Sequence, residues 1–195
     1  ALSFALLFAL PFVFTVLTAR ERPEFQRPPR PFHWRQAFVE PFQVRTFVSV
    51  LVMYVTAFVA FDAVSSIVVY YVKSYLGRGG ETSYVLGALL VAQVVSLPFY
   101  QALSRRTSKP RAYVVGAALF SIVMFLSFLV TPAAPGFALY AFAVAVGLGS
   151  GGVVMMVYAI FPDIPDVDEL RTGERREGVY SALTTFTRKV SSAVA

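Results

Sequence analysis

Six long apolar blocks, at residues 1–19, 46–73, 83–104, 112–131, 136–161 and 178–195, alternate with short hydrophilic stretches along the 195-residue chain. About 20 mostly apolar residues in a helix cross the ~30 Å hydrocarbon core of a bilayer, since each residue adds ~1.5 Å. A helix also satisfies its own backbone hydrogen bonds, which lipid cannot do for it. The pattern therefore predicts an all-α, polytopic transmembrane bundle of about six helices. Composition points the same way: 57% of residues are hydrophobic and only 14% charged, against roughly 25% charged in an average soluble domain.

The charges are bunched into three runs, at 20–45, 105–111 and 163–177. Arg20, Arg22, Arg27, Arg30, Arg35 and Arg45 crowd the first, and Arg105, Arg106, Lys109 and Arg111 the second. Short loops rich in Lys and Arg remain cytoplasmic. The connection at 75–82, with Arg78 inside and Lys73 at its edge, and the uncharged one at 131–136 then face outward. Alternation returns 161–178 to the cytoplasm, where Arg171, Arg175 and Arg176 obey the same rule. The net charge of +6 is on this reading a topology signal of an integral plasma- or inner-membrane protein partnered by the bilayer. No basic domain or stacking platform points to nucleic acid.

The 20–45 connection reads as a linker, because Pro23, Pro28, Pro29, Pro31 and Pro41 interrupt helix and favour extended chain. Within it Trp34, Ala37, Phe38 and Phe42 recur near helical spacing, which predicts a short helix lying at the membrane surface. No charged segment precedes the first apolar block, and the last block ends without a hydrophilic tail, so the chain reads as a fragment. Residues 1–19 would close one half of a larger protein, 20–45 link, and 46–195 begin an incomplete second half. Cysteine is absent and His33 stands alone, so neither a metal site nor a nucleophile–base pair is expected, and an enzyme is disfavoured.

Polar groups inside apolar helices are costly unless they face protein or water. At ~100° per residue Val179, Leu183, Phe186, Val190 and Val194 share one stripe of the last block, predicted to meet lipid, while Ser181, Thr184, Thr185, Arg188, Lys189, Ser191 and Ser192 lie elsewhere. Lys189 falls roughly 16 Å along this helix from Gly178, near the middle of the bilayer, with Thr185 one turn below it. An ammonium and a hydroxyl so placed can grip one hydroxylated ligand; the alternative is a structural pair with a carboxylate. Arg188 fits that structural role better. Asp62, with Ser65 and Ser66 one turn on, is either a binding group or the charge partner of Lys189 or Arg188. Gln93 fits an interhelical hydrogen bond.

Gly147, Gly149, Gly151 and Gly152 lack the Lys-Ser/Thr of a phosphate loop and read as a helix-packing surface. Asp163, Asp166, Asp168 and Glu169 lack the Gly and distal Glu of a calcium loop. They are expected to pair with Arg171, Arg175 and Arg176 across a gate at the membrane surface.

The stretch PDIPDVDELRTGERREGVYSALTTFTRK, Pro162 to Lys189, resembles the signature between the tenth and eleventh helices of the glycoside-pentoside-hexuronide:cation symporters, melibiose-carrier-like members of the major facilitator superfamily. LPFYQALSRRTSKPRAYVVG, Leu97 to Gly116, is similar to their turn between the eighth and ninth helices, and FDAVSSIVVYYVKSYLG, from Phe61, to their seventh. The resemblance covers helices six to eleven of twelve. It implies that Lys189, Thr185 and Thr184 lie at a sugar and cation cavity, and that Asp163, Asp166, Arg171, Arg175, Arg176, Arg105 and Arg106 belong to a gate. The chain departs from the family at Thr184, where many members have Gln, and at Arg105 and Ser108, where Asp and Gly are common in the superfamily.

The resulting expectation is a major-facilitator-type carrier that takes up a sugar with Na⁺ or H⁺ by alternating access and has no cofactor. The coupling-ion site would lie mainly on helices outside this chain. The alternatives are a lysophospholipid or other lipid symporter, in which Lys189 would pair with phosphate, and a transport-incompetent sensor or scaffold.

Overall fold

The computed structural model describes residues 2–18, 34–173 and 176–194. The chain forms two compact units, residues 1–33 and 34–195. The described part of the first is helix α1, Leu2–Thr18, which contains Pro11. Its Thr15 and Thr18 hydroxyls donate to the Pro11 and Phe14 carbonyls at 2.7 and 2.6 Å. Such back-bonding lets a hydroxyl sit in an apolar helix without an outside partner.

The second unit comprises α2 (Trp34–Phe38), α3 (Arg45–Tyr70), α4 (Thr82–Arg106), α5 (Lys109–Phe125), α6 (Gly136–Ile160), α7 (Asp163–Thr172) and α8 (Glu177–Val194). Helix α2 and the 3₁₀ turn Glu40–Gln43 that follows it occupy the place of the expected surface helix, with Trp34 and Phe38 exposed. The longer helices start and stop where local chemistry dictates. Thr107 ends α4 by donating to the Leu103 carbonyl, and Ser108 caps α5 by accepting from the Arg111 N–H, with Pro110 in the first turn.

Helix α6 is the centre of the packing, flanked by α4 and α5. Its glycines make both contacts close. A Cβ at Gly147 would meet the Leu89 carbonyl and Ala92 of α4, and one at Gly151 the Ser96 hydroxyl and Gln93 carbonyl. On the other side Gly149 abuts the Phe120 backbone, and Gly116 of α5 faces the backbone of Gly152. Small residues that let backbones touch are the usual means of packing helices in lipid, where no hydrophobic effect drives association. The outward faces of α4 and α5 carry Val91, Val94, Val95, Phe99, Val114 and Ile122 exposed, as lipid contact requires. Gln93 makes no side-chain hydrogen bond among the described residues; its backbone is what touches α6.

Among the described residues four helical stretches are long and apolar enough to cross a membrane: Arg45–Tyr75, Gly79–Arg106, Lys109–Leu129 and Gly136–Leu170. The described residues of all six apolar blocks are mainly helical, but α1 is short and α8 too rich in Ser, Thr and charge to qualify on composition. Connections group at the two ends of the bundle. At one end Tyr71 donates to the carbonyls of Ser127 and Val130, and Arg78 to that of Ala134 at 3.4 Å. At the other, residues 34–45, 105–111 and 163–173 lie around a core containing Phe47, Tyr100, Met156, Ile164 and Tyr180.

The 161–178 connection is no simple loop. Asp163 and Asp166 occupy the first turn of α7, where acidic groups are favoured by the positive end of the helix dipole, and Gly173 terminates it at φ 71°.

Replacing Gly151 by Ala forces a methyl against the Gln93 carbonyl and is expected to destabilise the folded protein by about 1–3 kcal/mol. Gly87→Ala, with nothing within 4 Å of the new methyl, serves as the neutral control. Thermal unfolding in detergent reads the difference.

Candidate functional site

Helix α8 meets α3 through a mixed face. Tyr180 and Leu183 are buried, and Phe47 of α3 packs edge-on to Tyr180 with ring centroids 4.9 Å apart. One turn further the contact becomes polar, through Thr184, Thr187, Arg188 and Ser191. The three hydroxyls each donate to a carbonyl of their own helix, Thr184 to Tyr180, Thr187 to Leu183 and Ser191 to Thr187, all at 2.8 Å. They are thereby satisfied without water.

Arg188 crosses to α3. Its Nη1 and Nη2 donate to the two carboxylate oxygens of Asp62 at 2.6 and 2.9 Å, and its guanidinium lies 4.6 Å from the centre of the Phe58 ring. Side-chain exposures of 27% and 21% put the pair partly out of water. A parallel two-point contact is the strongest form such a pair takes, and the aromatic face adds cation–π attraction. Tyr54 and Tyr158 complete the aromatic surround, each within ring contact of Phe58.

This geometry sorts the residues singled out from sequence. Asp62 takes the charge-partner role toward Arg188. Thr184 faces α3 and is buried, whereas Thr185 and Lys189, one turn apart, sit together on an exposed face of α8. Lys189 forms no ion pair among the described residues. Leu183, expected on the lipid stripe, is in the core, while Phe186 and Val190 are exposed. The reason is that α8 packs by its half-polar side, which periodicity of apolar residues alone does not locate; the side chain of Val194 lies outside the described residues.

Two of the expected gate residues, Asp163 and Arg176, have ion-pair partners in other segments. Lys109, at the start of α5, binds both oxygens of Asp163 at 2.7 and 2.6 Å and the Ala159 carbonyl at 3.0 Å, closing the end of α6. Arg176 binds Glu40 at 2.8 Å, joining the segment before α8 to the turn after α2. Helical α7 separates Asp163 from Arg176, and each is bound by a residue of another segment. Asp166, Arg105 and Arg106 are exposed and form no ion pair among the described residues. Arg175 and the side chain of Arg171 lie outside them. Sequence reasoning missed Glu40 and the Lys109–Asp163 pair; partners 136 and 54 residues apart leave no local signal.

A cleft of about 130 Å³ lies between α3, α5 and α6, lined by Thr56, Phe61, Tyr113, Ser121 and Ser150 among others. It contains none of the residues singled out on α8.

Apolar spanning helices, glycine-mediated packing and a charge pair between helices define an integral membrane protein with a helical bundle. The chain belongs to the MFS/sugar transport protein family, whose model matches residues 1–195; its fold is thus that of a partial major-facilitator bundle. It is 30% identical over 154 residues, 78% of this chain and 28% of the relative, to a protein named as an uncharacterized symporter from Synechocystis sp.. It is 33% identical over 133 residues, 68% of this chain and 29% of the relative, to a glucuronide carrier protein homolog from Escherichia coli. The matched stretches thus span under a third of the curated relatives' lengths. No solved structure matches.

Asp62→Ala leaves Arg188 without its partner and is expected to cost about 2–3 kcal/mol of stability, less than the ~3–5 kcal/mol of a fully buried pair. Exchanging the charges, Asp62→Arg with Arg188→Asp, should restore part of the loss. Unfolding of the single and double variants in detergent measures the coupling.

Proposed function

We propose that this chain forms part of a sugar:cation symporter that works by alternating access, with Thr185 and Lys189 of α8 contributing to the solute site. The observation that carries the reading is the division of labour on α8. Arg188 is neutralised by Asp62, whereas Lys189, on the adjoining exposed face and one turn above Thr185, keeps its ammonium for a ligand. A cation that has no ion pair among the described residues and lies within the bilayer is stable only against water or a polar solute. An ammonium and a hydroxyl about 6 Å apart along a helix suit the hydroxyls of a sugar. Support also comes from the family match and from relatives named as a symporter and a glucuronide carrier homolog.

In this reading residues 1–19 end the amino-terminal half, 20–45 link the halves on the cytoplasmic side, and 46–195 belong to the carboxy-terminal half. The ion-paired end of the bundle faces the cytoplasm of a plasma or inner membrane, and Lys109–Asp163 and Glu40–Arg176 brace its gate. Na⁺ or H⁺ supplies the driving force, bound mainly by helices outside this chain.

Uptake of labelled glycosides by the full-length protein in proteoliposomes, under imposed Na⁺ or H⁺ gradients, tests the proposal. Gradient-dependent accumulation should fall about tenfold or more in Lys189→Ala and lose apparent affinity in Thr185→Val. Absence of sugar uptake by folded protein would redirect the search to lysophospholipids. Uptake indifferent to Lys189→Ala would remove Lys189 from the site.

A further inference from the structure

At the ion-paired end of the bundle a cleft of about 250 Å³ opens between α2, the turn after it, α7 and the segment leading into α8; Arg35, Glu40, Gln43, Asp168, Thr172 and Arg176 contribute to its wall. Two opposite charges in this wall have no partner among the described residues. Asp168 is 2% exposed, its carboxylate accepts no hydrogen bond among the described residues, and its Oδ2 is sealed from solvent. Arg35 is exposed and makes no ion pair among the described residues. Glu40, the other acid of the cleft, is already engaged by Arg176 at 2.8 Å.

A buried ionised carboxylate without a partner costs several kcal/mol, which a guanidinium offering two parallel N–H donors would recover. The cleft's four charges sum to zero, so neither a simple anion nor a simple cation is a better occupant than the arginine already in its wall. The large apolar side chains of α2 do not anchor it. It is a five-residue helix whose Trp34 and Phe38 are exposed, and elements that bury so little apolar surface open at low cost.

We propose that Arg35 is a latch: α2 closes onto α7, the Arg35 guanidinium seats on the Asp168 carboxylate, and the cleft is filled. The structure holds the open state. Closing ties the first helix of this unit to α7, which precedes α8 in the chain, and so links the entry of the unit to the helix that bears Lys189. Glu40–Arg176, which joins the turn after α2 to the segment before α8, persists in both states as the pivot. The latch is independent of any transported solute and of whether transport occurs.

Spin labels at Phe38→Cys on α2 and Leu170→Cys on α7, both exposed positions, report the motion in the full-length protein in lipid vesicles. Two distance populations are expected. The shorter should vanish in Asp168→Asn and in Arg35→Gln, and return when the charges are exchanged in Arg35→Glu with Asp168→Arg. Asp168→Asn removes an uncompensated charge and is expected to fold; Arg35→Gln, at an exposed site, reads the same loss should it not. A single population, or a short population that survives both neutralising substitutions, overturns the latch. A short population that survives Arg35→Gln but requires phosphatidylethanolamine in the vesicles would assign Asp168 to a lipid amine instead, and overturns it too.

Discussion

Close contact between α6 and its two neighbours is the constraint on which the bundle rests. In lipid an apolar side chain gains nothing by leaving the solvent for a neighbouring helix, so association must come from dispersion and from backbones brought near each other. Gly147, Gly151 and Gly152 turn one side of α6 to α4, and Gly149 turns another to α5. A single turn-and-a-half of sequence thereby sets both approaches. The polar atoms nearby are tied off locally, Ser150 to the Gly147 carbonyl and Ser96 to that of Gln93, so the contact stays dry and satisfied.

The other flank is held differently. Helix α8 is too polar to be placed by glycine packing or by a continuous apolar stripe, and it reaches the bundle mainly through α3. Tyr180 and Leu183 anchor its first turns among apolar residues, and Arg188 with Asp62 anchors it further along. Two anchors separated by two turns fix the rotation of a helix about its axis. Rotation decides that Thr184 faces α3 and that Thr185 and Lys189 face away from it. The ion pair therefore sets the direction of its neighbour Lys189 as well as holding two helices together.

Much of the fold was legible because hydrophobic block length is a physical ruler. The bilayer sets that ruler, and the helices Arg45–Tyr70, Thr82–Arg106 and Gly136–Ile160 begin and end within a few residues of the apolar blocks. Helix α7 was not legible in the same way. A stretch with four acids and a proline looks like a solvent-exposed connection, and only its N-terminal acids and Gly173 betray a helix. The partners of Asp163 and Arg176 were illegible for another reason. Lys109 and Glu40 come from connections far away in sequence, and which opposite charge is nearest depends on how the helix ends converge.

The sequence by itself determined the membrane environment, the helical class, the approximate spans, the small-residue face of α6 and the family, because each of these depends on local composition, periodicity or a contiguous motif. Tertiary structure alone decided which of two adjacent cations is neutralised. Arg188 and Lys189 stand side by side in the chain, and either could have met Asp62; helix packing turned Arg188 toward α3 and Lys189 away. The physical reason is that a charge's role in a low-dielectric setting is set by what lies within a few ångströms of it, and that neighbourhood is assembled from residues more than a hundred positions apart.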